Sequence, residues 1–147
     1  MYQRRAAVDA RRRSCHESCM SIPVPLDRLR TAVDERGPGA YLLTVSADAR
    51  PHAVAVSVTW DRDCMTVEVG RRSAANVRAR PAVCLLFPFR TPGDYSLIVD
   101  GTVAVAPEDA RRLLITPLTA VLHRPAAEPK PGAACQDDCV RVLPAKP

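Results

Sequence analysis

Strict alternation between bulky and small side chains along Pro51–Trp60 constrains the fold of this chain more than any other feature. In an extended strand, one face carries Val54, Val56, Val58 and Trp60, and the other carries Ala53, Ala55, Ser57 and Thr59. The bulky face predicts packing on a core. The small face leaves the backbone approachable, as a flat ring would need in order to lie against a sheet.

Strand patterns dominate the middle of the chain, and turn residues separate them. Gly101 and Pro117 interrupt the last two runs and predict bulges or a sheet edge there. The six runs are Tyr41–Ala47, Pro51–Trp60, Met65–Val69, Ala82–Phe87, Tyr95–Val105 and Leu113–Arg124.

Two helical segments accompany the strands. The first begins at Leu26 and ends before Gly37, and the second runs from Ser73 as its N-cap to Arg80, where Pro81 stops it. Together these patterns predict a mainly β fold, a small six-stranded antiparallel Greek-key barrel with one or two short helices. Side chains fill a barrel of this size, so we expect a ligand with a large flat ring to bind outside it, where two subunits meet.

The 147 residues suffice for one core, and the sequence divides into three parts. Residues 1–19 form a basic extension that is predicted to be disordered, residues 20–124 form the folded domain, and residues 125–147 form a Pro-rich tail with a CxxxC motif. No apolar run approaches the roughly 20 residues that span a bilayer, and no apolar segment follows the N-terminal arginines. These patterns predict a cytoplasmic protein that does not associate with membranes.

The formal net charge of +5 is concentrated outside the predicted domain. Residues 1–19 carry +3, residues 20–124 carry +2, and residues 125–147 are neutral. Aromatic residues make up only 4% of the chain, so few side chains can stack on bases. We therefore do not expect the protein to bind nucleic acid.

The turn Gly70-Arg71-Arg72-Ser73 brings two guanidinium groups, a hydroxyl and free backbone amides to the start of the second helix. This combination suits a phosphate group, because helix N-termini and arginine side chains both bind anions. An ordinary solvated turn is the alternative interpretation. Asn76, on the first turn of the helix, is either part of this site or a structural hydrogen-bonding residue.

Three segments occur in an order that resembles a known family: YLLTVSADARPHAVAV, then WDRDCMTVEVGRRSAANVRARPAVCLLF, then YSLIVDGTVAV. The family is that of the pyridoxamine 5'-phosphate oxidase-like proteins, small split barrels that bind flavin or deazaflavin. The resemblance covers Ile22 to Arg124 and rests on the whole order of segments rather than on one sharp motif.

The resemblance implies a split barrel that forms a homodimer with two cofactor sites at the subunit interface. It implies a flavin- or deazaflavin-dependent oxidoreductase that acts on a small substrate, with FMN as the expected cofactor and F420 or haem as alternatives. The cofactor would supply the chemistry, so no side chain is assigned as a catalytic acid, base or nucleophile. Family members often carry Lys or Arg at the position of Ser73. The expected cofactor-binding residues are His52, Val54, Ala55, Val56, Ser57, Arg71, Arg72, Ser73 and Asn76.

Two other classes of function stay open. A binding protein would hold flavin or haem without turnover, with His52 or His123 as an axial ligand of the haem. A structural or interaction protein would keep a vestigial site and recruit a partner through the tail. Trp60 and His52 also have simpler interpretations, as a core residue and as a surface histidine.

The chain contains six cysteines. Cys64 and Cys84 occur singly in strands and are expected to be small buried residues in a reducing compartment. The remaining cysteines form one CxxxC pair near each end, Cys15 with Cys19 and Cys135 with Cys139. This spacing is not the usual zinc-knuckle spacing, so we expect no metal site and favour an oxidisable pair in the tail.

Overall fold

The computed structural model describes residues 26–125 and 137–141. Within them the chain forms two helices and eight strands, and strands predominate, as the alternating patterns predict. The elements are α1 (Leu26–Arg36), β1 (Gly39–Val45), β2 (Pro51–Ser57), β3 (Thr59–Asp61), β4 (Cys64–Glu68), α2 (Arg71–Ala79), β5 (Ala82–Phe87), β6 (Ser96–Ala106), β7 (Asp109–Pro125) and β8 (Asp137–Arg141).

All the strands belong to one curled antiparallel sheet. Its order is β2-β1-β5-β6-β7-β4-β3, and β8 pairs with β7 outside this path. Strand β6 pairs with β5 and with β7, the strands that precede and follow it in the chain. Helix α2 connects β4 with β5, which are not neighbours in the sheet. The prediction of a mainly β, antiparallel fold with one or two short helices is confirmed.

The predicted count of six strands is wrong, because the predicted strand Pro51–Trp60 is divided in two at Val58 and the tail adds β8. Before this residue β2 pairs with β1, and after it β3 pairs with β4. Val58 itself is buried, and its backbone N–H donates to the carbonyl of Pro38 over 2.8 Å. One almost continuous strand therefore joins the two ends of the sheet path, which gives the sheet its curled shape.

The core lies inside the curled sheet. Inward positions alternate along the strands, and α1 and α2 add buried residues such as Leu29 and Val77. The alternation predicted for β2 is confirmed, because Val54 and Val56 pack against the core while Ala53 and Ala55 are exposed. The largest fully buried apolar side chains are Phe87, Leu29, Leu42, Met65, Leu85, Leu97, Leu113, Ile115 and Val99.

A bulge interrupts the pairing of β6 with β7, as predicted. Asp100 pairs with Thr119 but Gly101 pairs with Pro117, so Leu118 is the extra residue. A Cβ atom at Gly101 would lie 2.7 Å from the carbonyl oxygen of Thr116. Glycine at this position thus allows the two backbones to approach closely.

Strand β8 belongs to the tail. It pairs with residues Val121–Pro125 of β7, so the pairing extends past Arg124, the predicted end of the domain. The predicted extension 1–19, with Cys15 and Cys19, and Cys135 of the tail lie outside the described residues. Among the helices in the described ranges, none is long and apolar enough to cross a membrane.

Candidate functional site

A cavity of about 310 Å³ opens beside the break between β2 and β3. Ser57 ends β2 and Thr59 begins β3, so the break at Val58 places both side chains at its edge. Strands β4 and β7 supply the rest of the wall. The lining residues are Ser57, Thr59, Thr66, Val67, Glu68 and Arg112.

Two threonine hydroxyls form a hydrogen bond in this cavity. Thr59 and Thr66 are Cα partners across β3 and β4, and their Oγ1 atoms lie 2.5 Å apart. The Thr59 side chain is exposed, whereas Thr66 has only 4% of its surface accessible. The cavity therefore has a neutral polar wall that can both donate and accept a hydrogen bond.

Arg112 is the cation of the cavity. Its guanidinium lies 3.8 Å from a carboxylate oxygen of Asp61 and 3.8 Å from one of Glu108. Both distances exceed hydrogen-bonding range, so the carboxylates attract the guanidinium without fixing its orientation. Glu68, the Cα partner of Arg112 on β4, is exposed at the same cavity.

The start of α2 is an uncapped helix N-terminus with two exposed arginines. The structure corrects the predicted N-cap: Gly70 holds that position with no side-chain cap, and Ser73 is a buried residue of the first turn. The N–H of Ala74 donates to Gly70, so the amides of Arg71 to Ser73 precede the first intrahelical bond. Arg71 and Arg72 are both exposed.

The cavity and this helix start are close along the chain. Glu68 ends β4 at the cavity, and Arg71 begins α2 three residues later. Three residues span at most about 11 Å. A ligand with a ring in the cavity and a phosphate on a short arm can therefore reach the helix start.

Comparison with known proteins identifies sequence relatives and structures that share the fold. No protein-family profile matches the chain. An uncharacterised protein of Mycobacterium bovis and one of Mycobacterium tuberculosis are each 38% identical to it over 133 residues, which cover 80% of this chain and 93% of theirs.

Solved structures share the fold. A putative pyridoxamine 5'-phosphate oxidase from Listeria innocua has a TM-score of 0.53 at 19% identity, with 67% of this chain and 98% of that chain covered. The haem storage protein HutZ of Vibrio cholerae has a TM-score of 0.51 at 13% identity, with 64% of this chain and 91% of HutZ covered. The chain has the split-barrel fold of the pyridoxamine 5'-phosphate oxidase-like proteins. It belongs to one family with the two mycobacterial proteins that are 38% identical to it.

The expected site residues on β2 are divided between the two faces of this strand. His52, Val54 and Val56 are half-buried on the core side, whereas Ala55 and Ser57 are exposed on the other side. Of the expected site residues, Ser57 is the one that lines the cavity.

Asn76 has a partner inside the protein. Its side-chain amide donates to the hydroxyl of Thr44 over 3.0 Å, and both residues are buried. The Thr44 hydroxyl donates in turn to the carbonyl of His52 over 3.5 Å. This chain of hydrogen bonds ties α2 to β1 and β2, which is the structural role that the sequence left open for Asn76.

The outward face of the sheet carries an apolar row that crosses five strands. Successive Cα partners align Ala55, Tyr41, Leu86, Ile98 and Val121, which we call the apolar row. Tyr41 is 47% exposed, and the last three side chains are half-buried. At the usual strand spacing the row is about 19 Å long.

Cys84 lies on the same outward face. Burial raises the pKa of its thiol from 9.0 to about 11, and the charge of Asp100 and a hydrogen bond to it add to this shift. Cys64 and Cys84 are free and half-buried, so they are less enclosed than predicted. Within the described ranges, no three His, Cys, Asp or Glu side chains are grouped so that they could hold a metal ion.

Trp60 and His123 lie elsewhere in the fold. Trp60 packs partly against the core, and the guanidinium of Arg30 covers its ring at 4.5 Å from the centroid. This placement agrees with the interpretation of Trp60 as a core residue. His123 is half-buried near the end of β7, where Ser96 is its Cα partner.

Sequence reasoning missed five of the six residues that line the cavity. Thr59 was placed on the small face of its strand but was not assigned to the site. Thr66 carries a weak signal, as a hydroxyl in an otherwise apolar part of β4. Arg112 carries none, because only the pairing of β7 with β4 brings it to the cavity.

Proposed function

We propose that this split barrel binds a phosphorylated flavin, FMN in the first place, and acts as an oxidoreductase on a small substrate. The observation that carries the proposal is the cavity beside Ser57 together with the nearby start of α2. Glu68 of the cavity wall precedes Arg71 by three residues, and this helix start is uncapped and carries two exposed arginines. The deazaflavin F420 is the alternative ligand with the same kind of ring and a phosphate.

The helix start supports the phosphate end of the proposal. Three backbone amides precede the first intrahelical hydrogen bond there, and the helix dipole adds partial positive charge. Arg71 and Arg72 are exposed at the first two positions of α2. Ser73 is only 1% exposed, so the arginines and the amides, rather than its hydroxyl, are the groups we assign to the phosphate.

The cavity supports the ring end. Its volume of about 310 Å³ lies at the lower end of the range for small-molecule pockets. The small exposed side chains of Ala53 and Ala55 continue the surface beyond Ser57. The side chains that β2 itself presents to a flat ring extending from the cavity are therefore small.

The residues of the chain would bind and orient the ligand. The bound flavin supplies hydride transfer. Arg71 and Arg72 hold the phosphate, the cavity wall holds the ring, and the guanidinium of Arg112 lies beside the ring as a positive charge. The open side of the cavity is then the approach for the substrate.

The apolar row supports the proposed homodimer. Exposed and half-buried apolar residues that line up across five strands favour contact with a second protein surface. A second copy of this face matches it under two-fold symmetry. Ala55 belongs to the row and is two residues from Ser57, so the cavity would lie at the edge of the dimer interface.

Absorption of the protein as isolated tests the proposal, followed by mass spectrometry of the released ligand. Flavin bands and a mass of FMN, or deazaflavin bands and a mass of F420, are the supporting results. A Soret band would favour the alternative of a haem-binding protein. A colourless protein that gains no thermal stability from any flavin would favour a structural role.

A further inference from the structure

The hydroxyl pair of Thr59 and Thr66 has unused hydrogen-bonding capacity that faces the cavity. The two groups have two protons and four lone pairs between them, and their mutual bond uses one of each. One proton and three lone pairs are left. The backbone pairing of β3 with β4 holds both residues in register, so the pair is preorganised.

We propose that this pair recognises a ring edge on which a carbonyl lies next to an N–H group, as in an imide. One hydroxyl donates to the ring carbonyl, and the other accepts from the ring N–H. Three hydrogen bonds then form a continuous chain: the ring N–H donates to the first hydroxyl, the first hydroxyl donates to the second, and the second donates to the ring carbonyl. Each bond in this chain polarises the next.

The spacing of the two hydroxyls fits this edge. Standard C=O and C–N lengths put the carbonyl oxygen and the adjacent nitrogen of an imide about 2.2 Å apart. The two Oγ1 atoms are 2.5 Å apart, so the two bonds to the ring can run side by side. Because Thr66 is 4% exposed, a ring that covers the pair and offers no partners would leave buried hydroxyls unsatisfied.

This inference rests on the proposed function and makes it more specific. Flavins and deazaflavins share the imide edge, and haem has none. The pair would therefore distinguish flavin-type rings from haem, and it would do so without any charge.

The full-length protein and two synthetic ligands test the inference. Lumiflavin has the flavin ring without the phosphate arm, and 3-methyl-lumiflavin carries a methyl group in place of the imide proton. We expect wild type to bind 3-methyl-lumiflavin with an affinity about tenfold or more below that for lumiflavin. The methylated ring loses one hydrogen bond and leaves a hydroxyl unsatisfied. Equal dissociation constants for the two ligands would overturn the inference.

Valine variants connect the ligand difference to the hydroxyl pair. In Thr59→Val with Thr66→Val, both side chains keep their shape, and the difference between the two ligands should fall below about threefold. Thr102→Val on the outward face of β6 is the matched control, because Thr102 is exposed and outside the cavity. A tenfold difference between the dissociation constants of the two ligands that persists in the double variant would show that other groups recognise the ring edge. Because the comparison within wild type needs no variant, a double variant that unfolds does not remove the test.

The outcomes separate this inference from the function on which it rests. A wild-type protein that binds FMN and both lumiflavins with no preference keeps the proposed function and refutes the hydroxyl pair. A wild-type protein that binds neither a flavin nor a deazaflavin refutes both.

Discussion

The side-chain amide of Asn76 donates a hydrogen bond to the hydroxyl of Thr44 over 3.0 Å inside the protein. This bond joins α2, whose first turn carries the two exposed arginines, to β1. The orientation of the proposed phosphate site therefore depends on a buried polar contact.

Asn76→Ala should lower the free energy of unfolding by about 1–3 kcal/mol, because the buried hydroxyl of Thr44 loses the group that donates to it. Chemical denaturation measures this loss. Thr44→Val removes the other partner, so the double variant should cost clearly less than the sum of the two single ones. Strictly additive losses would show that the bond contributes nothing of its own.

Gly101→Ala should destabilise the protein by about 1–3 kcal/mol, since the new methyl group has no room. Its Cβ would lie 2.7 Å from the carbonyl oxygen of Thr116 and 2.9 Å from a methyl carbon of Ile115. Gly39→Ala is the matched control, because nothing lies within 4 Å of a Cβ there. Equal melting temperatures for the two variants would contradict the close approach at the bulge.

Residue patterns predicted much of the fold, because they report local geometry. The alternation through Val58 identified which face of β2 meets the core, and Gly101 identified the bulge. The same alternation could not show that Val58 interrupts the strand. That break depends on its hydrogen bond to Pro38 and on the pairing of β3 with β4.

The candidate site was less predictable, because pairing between distant strands builds it. Ser57, Arg71 and Arg72 could be selected by residue type and spacing. Arg112 reaches the cavity only through the register of β7 with β4. Ser73 was assigned to the N-cap because serine favours that position, but the chain uses Gly70 and buries Ser73.

Tyr41→Glu should weaken the proposed homodimer by placing a charge within the apolar row. Light scattering over a range of protein concentrations measures the dissociation constant. Because Tyr41 is 47% exposed in the single chain, we expect the monomer to stay folded. Thr102→Glu, also outward and exposed but outside the row, is the control. A dimer that survives Tyr41→Glu unchanged would place the interface on another face.

Cys84 should react slowly with iodoacetamide at neutral and mildly basic pH. Burial and the nearby Asp100 raise its pKa from 9.0 to about 11, so the thiolate fraction at pH 8 falls about 100-fold. Asp100→Asn removes the second cause and should speed the reaction, which mass spectrometry of the labelled peptide can follow. Labelling of Cys84 as fast as a model thiol would contradict the raised pKa.

The same shift predicts how stability depends on pH. A thiol whose pKa is raised in the folded state favours folding below the unfolded value of 9.0, and this contribution is lost as the pH rises towards 11. Unfolding free energies measured across this range should fall more steeply for wild type than for Cys84→Ala. Equal slopes would indicate that the thiol titrates alike in both states.

The affinity of the double variant Arg71→Ala with Arg72→Ala for FMN and for riboflavin tests the central claim most directly. A phosphate carries nearly two negative charges, and each charge-assisted hydrogen bond to it contributes about 1.5–3 kcal/mol. The double variant should therefore bind FMN with an affinity about 100-fold or more below that of wild type. Riboflavin, which has the ring without the phosphate, should lose far less, and Arg78→Ala, exposed in the last turn of α2, should affect neither ligand. Equal losses for both flavins would mean that the arginines support the ring or the fold. No loss for either would mean that the start of α2 is only a solvated connection and would contradict the account.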